Sequence, residues 1–101
     1  KITASYAKIN FFKTAKEIYN HIRAFNPKPG AWLVVNNDRI KILECKITDK
    51  KGKVSEIISE KFLIGCLDKS IQPTLIQREG KKPMVIEEFL KGFSLKIGQK
   101  I

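Results

Sequence analysis

A mainly β fold is predicted: a small OB-like barrel of about five or six strands, a flanking N-terminal helix and a short helix near the C-terminus. Three observations lead there. Helical spacing of apolar residues is confined to one early and one late stretch, and between them the period drops to two. The longest strand candidate, Arg39 to Ile47, slips phase in its middle: Ile40 and Ile42 share one face, then Leu43, Cys45 and Ile47 the other. Such a slip signals a bulge or strong coiling, as expected where a small sheet curls toward closure. Short polar turns punctuate the rest. An SH3-like barrel is the second choice.

Residues 1–12 read as a lead-in, anchored by Ile9, Phe11 and Phe12. Thr14 and Glu17 have capping-box spacing and open a helix. Ala15, Ile18, Tyr19, Ile22 and Phe25 form its apolar stripe. Asn26 precedes Pro27, and a residue before proline is driven out of helical geometry, so the helix ends near Phe25. Pro27, Pro29 and Gly30 turn the chain into a strand from Ala31 to Val35. Trp32 is assigned to the core, with stacking on a nucleobase as the other reading. Asn36, Asn37 and Asp38 mark a turn before the long strand, and Asp49 to Lys53 a charged one after it.

Further strands are expected over Val54 to Ile58, over Phe62, Ile64 and Cys66, and over Ile71 to Gln77. Pro73 places the last of these at an edge or a bulge. Pro83 to Lys91 resembles a short helix closed by Gly92, and Phe93, Leu95 and Ile97 alternate as a final strand.

One domain over residues 1–101 suits this length. No apolar run is long enough for a membrane span, and Lys1 to Ser5 is no signal peptide. Lys1 is not a start methionine, so a piece of a longer protein is expected. Cys45 and Cys66 lie far apart in apolar segments, which suggests buried thiols in a reducing, cytoplasmic setting rather than zinc or a disulfide framework.

Charge is the strongest compositional signal. Twenty Lys and Arg face ten Asp and Glu, a formal net charge of +10. A polyanion such as RNA or DNA is the favoured partner. The sequence assembles no active site. His21 has no partner at useful spacing; Ser5, Ser55, Ser59, Ser70 and Ser94 lie outside any nucleophile elbow. Gly80, Lys81 and Lys82 fall far short of a phosphate loop, and Glu87 and Glu88 read as a solvated helix face. The candidate nucleic-acid-binding residues are Lys1, Lys41, Lys46, Arg78, Lys81 and Lys82, with Lys50, Lys51 and Lys53 crowding another turn. No catalytic, metal or cofactor residue is assigned.

Two motifs then carry a resemblance. The stretch AKINFFKTAKEIYNHIRAFNPKPGAW (Ala7–Trp32) resembles the start of the C-terminal domain of methionyl-tRNA formyltransferases. That family has an I-D-W triplet, a helix ending I-R-A-x-x-P-x-P-G-A, then a strand; here Ile9, Asn10 and Phe11 stand for the triplet. The stretch LIQREGKKPMVIEEFLKG (Leu75–Gly92) resembles the family's L-Q-x-x-G-K-K-x-M and its short helix ending F-L-x-G. Departures are Tyr6 for a common glutamate, Asn10 for the aspartate, and Asp68 with Lys69 for an Asp-Gly turn. The resemblance implies an OB-like barrel that helps hold tRNA through positive charge. It also implies an N-terminal Rossmann-like catalytic domain as partner, absent from this chain, which transfers a formyl group from 10-formyltetrahydrofolate to methionyl-tRNA. Arg23 and Lys28 are weaker RNA candidates, and Arg23 equally suits the helix C-terminus. A monomer is expected. Two alternatives stay open: the barrel of a related formyl-transferring or folate-hydrolysing enzyme, and a free-standing basic RNA-binding module.

Overall fold

A computed structural model describes residues 4–101. After a single 3-10 turn (Ala4–Ala7) come helix α1 (Ala15–Phe25), strands β1 (Ala31–Val35), β2 (Asp38–Thr48), β3 (Ile64–Gly65), β4 (Ser70–Arg78) and β5 (Met84–Val85), then helix α2 (Ile86–Gly92). The strands form one curled antiparallel sheet, a half-barrel, in the order β1-β2-β4-β3, with β5 also on β4. Among the described residues no helix is long and apolar enough to cross a membrane.

Helix α1 forms as its capping box dictates. The Thr14 side chain accepts from the Glu17 N–H, and Glu17 Oε1 accepts from the Thr14 N–H at 3.0 Å. A second cap comes from far along the chain: the Ala15 N–H donates to Asp68 Oδ1 at 2.9 Å. Ala15, Ile18 and Ile22 are buried, while Tyr19 and Phe25 are half-buried. Asn26 is extended and ends the helix. Phe12, expected as an anchor, is 62% exposed. The Phe12 N–H donates to Asn10 Oδ1, a tight turn that puts Phe11 inside and Phe12 outside.

The β1–β2 hairpin turns at Asn36 and Asn37, both at positive φ (53° and 65°), the geometry that matches strand twist in a two-residue loop. Side chains alternate across a sheet. Ala31, Ile42 and Ile76 stand side by side in register and are fully buried. The next row along that face is Leu33, Ile40 and Arg78. One apolar cluster joins this face to Ile18 and Ile22 of α1 and to Ile86 and Phe89 of α2. Each such aliphatic side chain contributes about 1.5–3 kcal/mol by leaving water.

The expected slip in β2 is present and paired. Ile42 faces Ile76, Glu44 faces Leu75, and Cys45 faces Pro73, so the ladder passes over Leu43 in β2 and Thr74 in β4. Both strands change phase together, and Pro73 and Ile71 are buried as Ile76 is. Pro73 is therefore at a bulge and not at an edge. It lies between the β3 pairing at Ser70 and Ile71 and the β5 pairing at Leu75 and Ile76, where no N–H is needed.

The helix expected from Pro83 begins only at Ile86, because Met84 and Val85 pair with β4 as β5, and three other expected elements differ. Residues 54–58 make only single bridges, because Ser55 sits at φ +62° and the chain cannot stay pleated there. Phe62 takes φ +72° in a turn closed by Ile58 N–H to Leu63 O, so β3 shrinks to two residues. The stretch from Phe93 to Ile97 forms no strand. Its Ser94 carbonyl accepts from Asn36 Nδ2, and the tail after it pairs with 55–57 through Ile57 N–H to Gln99 O and Ile101 N–H to Ser55 O. Gly92 ends α2 inside the helix, with Phe93 as the cap residue.

Gly65 is the closest backbone crossing: a Cβ there would lie 2.0 Å from the Lys53 carbonyl oxygen. Gly65→Ala is expected to cost about 3 kcal/mol or more, read as a lower urea midpoint at unchanged slope. Gly92→Ala, where a Cβ meets nothing within 4 Å, is expected to be neutral or stabilising by up to ~1 kcal/mol.

Acid should loosen α1. Glu17 is held below the ordinary carboxylate range chiefly by the Thr14 N–H, and Asp68 chiefly by the Ala15 N–H. A lowered folded pKa adds stability above the unfolded value, and that stability is lost as pH falls through the folded one. Asp68→Asn should therefore lower the melting temperature at pH 7, and the deficit should shrink as the pH is taken down through and below the ordinary carboxylate range. A deficit that stays constant over that descent would contradict this.

Candidate nucleic-acid interface

The face of the sheet opposite the core carries Trp32, Lys41 and Gln77 side by side across β1, β2 and β4, with Val34 and Arg39 as the next pair. Trp32 is 7% exposed, as the sequence predicts, yet it lies outside the main apolar cluster. Cations cover it. The Arg39 guanidinium stands 3.9 Å from the ring centroid and Lys8 Nζ 5.5 Å. Lys8 is brought there because residues 8 and 9 run beside β1, with the Ile9 N–H donating to the Trp32 carbonyl at 2.9 Å. With its face taken by Arg39, the ring is not open to a nucleobase. Cation–π attraction is worth ~0.5–1 kcal/mol per contact near a surface, so burial stabilises Trp32 and the cations set its orientation.

The Pro27–Gly30 turn shapes this place. Gly30 has φ +89° and its N–H closes onto the Phe25 carbonyl at 2.9 Å. A Cβ there would lie 2.9 Å from Lys41 Cδ, so the missing side chain is what lets the Lys41 stem lie across the turn. The Gln77 amide donates to the Lys81 carbonyl at 2.8 Å and ties the 79–82 loop to the same face. A groove of about 190 Å³ results, lined among others by Pro29, Trp32, Arg39, Lys41, Gln77 and Gly80.

Of the candidates named from sequence, Lys41 and Arg78 line this groove, and the loop of Lys81 and Lys82 borders it. Arg78 is partly committed: it pairs with Asp38 at 3.2 Å and lies 5.2 Å over Phe93, on the core side of the sheet. Lys46 is exposed beyond the bulge, five residues from Lys41, roughly 16 Å along the strand. Lys1 lies outside the described residues. Sequence reasoning missed Lys8 and Arg39. Arg39 had one signal, its place two residues before Lys41 on the same strand face; Lys8 had none, since only tertiary pairing brings it to Trp32.

Elsewhere, a hollow of about 650 Å³ between the lead-in and α1 is lined by Tyr6, Asn10, Glu17 and His21 among others. Three of its polar groups are spent locally: His21 Nε2 faces the Ala7 carbonyl at 3.0 Å, Asn10 holds Phe12, and Glu17 caps α1. Arg23 is exposed at the end of α1 and lies 5.5 Å over Tyr19. Burial pushes both the Cys45 and Cys66 thiols up to about 12. At pH 8 only roughly one in ten thousand is thiolate. The folded chain should therefore react with a thiol-disulfide reagent at least about 100-fold more slowly than the urea-unfolded chain. Equal rates would contradict the burial of Cys66 and the half-burial of Cys45.

A family model described as formyl transferase, C-terminal domain, matches residues 1–94. The chain is 40% identical to a methionyl-tRNA formyltransferase of Cereibacter sphaeroides, over 97% of the chain and 32% of that protein. It is 38% identical to those of Rhizorhabdus wittichii and Rhodopseudomonas palustris, over 100% of the chain and 33% and 34% of theirs. The chain thus spans about a third of the length of these relatives. Among solved structures, HypX from Aquifex aeolicus in complex with tetrahydrofolic acid superposes with a TM-score of 0.74 at 17% identity. The match covers 100% of this chain and 22% of that one, a likeness of fold.

Proposed function

Since the chain belongs to the formyl transferase C-terminal domain family, we propose that it is the tRNA-holding part of a methionyl-tRNA formyltransferase. In this reading the catalytic domain lies elsewhere in the same polypeptide and takes the formyl group from 10-formyltetrahydrofolate. This chain supplies grip. The observation that carries the reading is the cationic outer face: Lys8, Arg39 and Lys41 around one indole, with Lys81 and Lys82 on the adjoining loop.

Chemically, such a face neutralises phosphates and positions a folded RNA without reading its bases. Discrimination of the initiator then falls to the rest of the enzyme. The working setting is cytoplasmic and the partner is methionyl-tRNA. The 49–53 turn, with Lys50, Lys51 and Lys53 exposed, is free to follow the backbone farther out.

The test is binding of the 101-residue chain to initiator and elongator tRNA across salt. About four neutralised phosphates predict a log–log slope near −3 to −4 and roughly a 100-fold loss between 50 and 200 mM salt. Both tRNAs should bind within about threefold of each other. Absence of binding at 50 mM salt would overturn the reading and favour a related enzyme whose substrate is not RNA.

A further inference from the structure

We infer that the groove beside Trp32 is a built seat for a single phosphodiester group, with Arg39 as the fork that takes it and Trp32 as the residue that positions the fork. The inference rests on the tRNA reading only for the source of the phosphate.

Three features of the groove lead there. At 3.9 Å from the ring centroid, the Arg39 guanidinium packs over the face of the indole. That contact restrains the guanidinium without spending its N–H donors, which lie in its own plane. Such a fork matches two oxygens of one phosphate, and prior restraint lowers the entropy lost on binding. Next, no carboxylate is paired with Arg39. Among the described residues Arg39 makes no ion pair: its neighbour Asp38 is spent on Arg78, and Glu79, which lines the groove, forms no salt bridge. Finally, a second cationic residue lines the same groove: Lys41 is in register with Trp32, its stem laid across Gly30. The occupant is a phosphate and not a base, because Arg39 already covers the ring.

A seat differs from a diffuse basic surface in one measurable way: geometry matters at constant charge. Arg39→Lys keeps the charge and removes the fork. It should weaken tRNA binding about fivefold or more with the salt slope unchanged, whereas Arg39→Ala should lower the slope by about one. Trp32→Leu should match Arg39→Lys in affinity and add little when combined with it. Should Trp32→Leu fail to melt cooperatively, Arg39→Lys, a change at the surface, decides alone. Parent-like affinity of Arg39→Lys, with tRNA still bound by both, would overturn the seat and leave the tRNA reading standing. If tRNA does not bind at all, inorganic pyrophosphate decides, with Trp32, the chain's single tryptophan, as the fluorescent probe. A saturable change in emission lost in Arg39→Ala supports the seat; no change overturns it.

Discussion

Where β2 and β4 pass over Leu43 and Thr74, two strands change phase at once, and the rest of the molecule depends on that step. A bulge in one strand alone would turn half of its apolar residues toward solvent. Because both strands slip, Ile42 with Ile76 and Cys45 with Pro73 all serve the same core. The local coiling curls a five-stranded sheet into a half-barrel that closes on α1 and α2. Proline, usually a mark of an edge, is tolerated inside because Pro73 falls between the β3 and β5 pairings on that side of β4, where no N–H is needed.

The same alternation that fills the core leaves the opposite face for the proposed contacts with RNA. Trp32 is buried there beneath Arg39 and Lys8. An indole is large enough to hold such side chains in place and apolar enough to gain from being covered. Gly30 contributes by lacking a side chain, and Gln77 by holding the 79–82 loop, so residues far apart in sequence meet around one ring. Arg78 shows the cost of judging cations by type alone. Its alternation phase places it on the core side, tied to Asp38 and stacked over Phe93, where it joins the hairpin to the C-terminal segment.

Elements with a strong local signal were legible. The capping box, the proline stop after Phe25, the Asn36 and Asn37 turn and the slip in β2 all appear where local chemistry puts them. What was not legible depends on left-handed backbone at non-glycine residues or on distant partners. Ser55 and Phe62 break two expected strands through positive φ, which neither propensity nor period announces. Asp68 looks like a turn residue in sequence and caps a helix 53 positions away. At the candidate interface the same division holds: Lys41 and the 81–82 pair stood out by charge clustering, whereas Lys8 reaches Trp32 only through the pairing of the lead-in with β1.

In the proposed function the outer face, rather than any cluster of lysines, receives RNA. The direct measurement is amide and indole chemical-shift mapping of the 101-residue chain titrated with folded tRNA at low salt. Shifts concentrated at the Trp32 indole, Arg39, Lys41, Gln77 and Lys81, with Lys50, Lys51 and Lys53 changing less, are the predicted result. Shifts concentrated in the 49–53 turn, with the Trp32 indole unmoved, would contradict it.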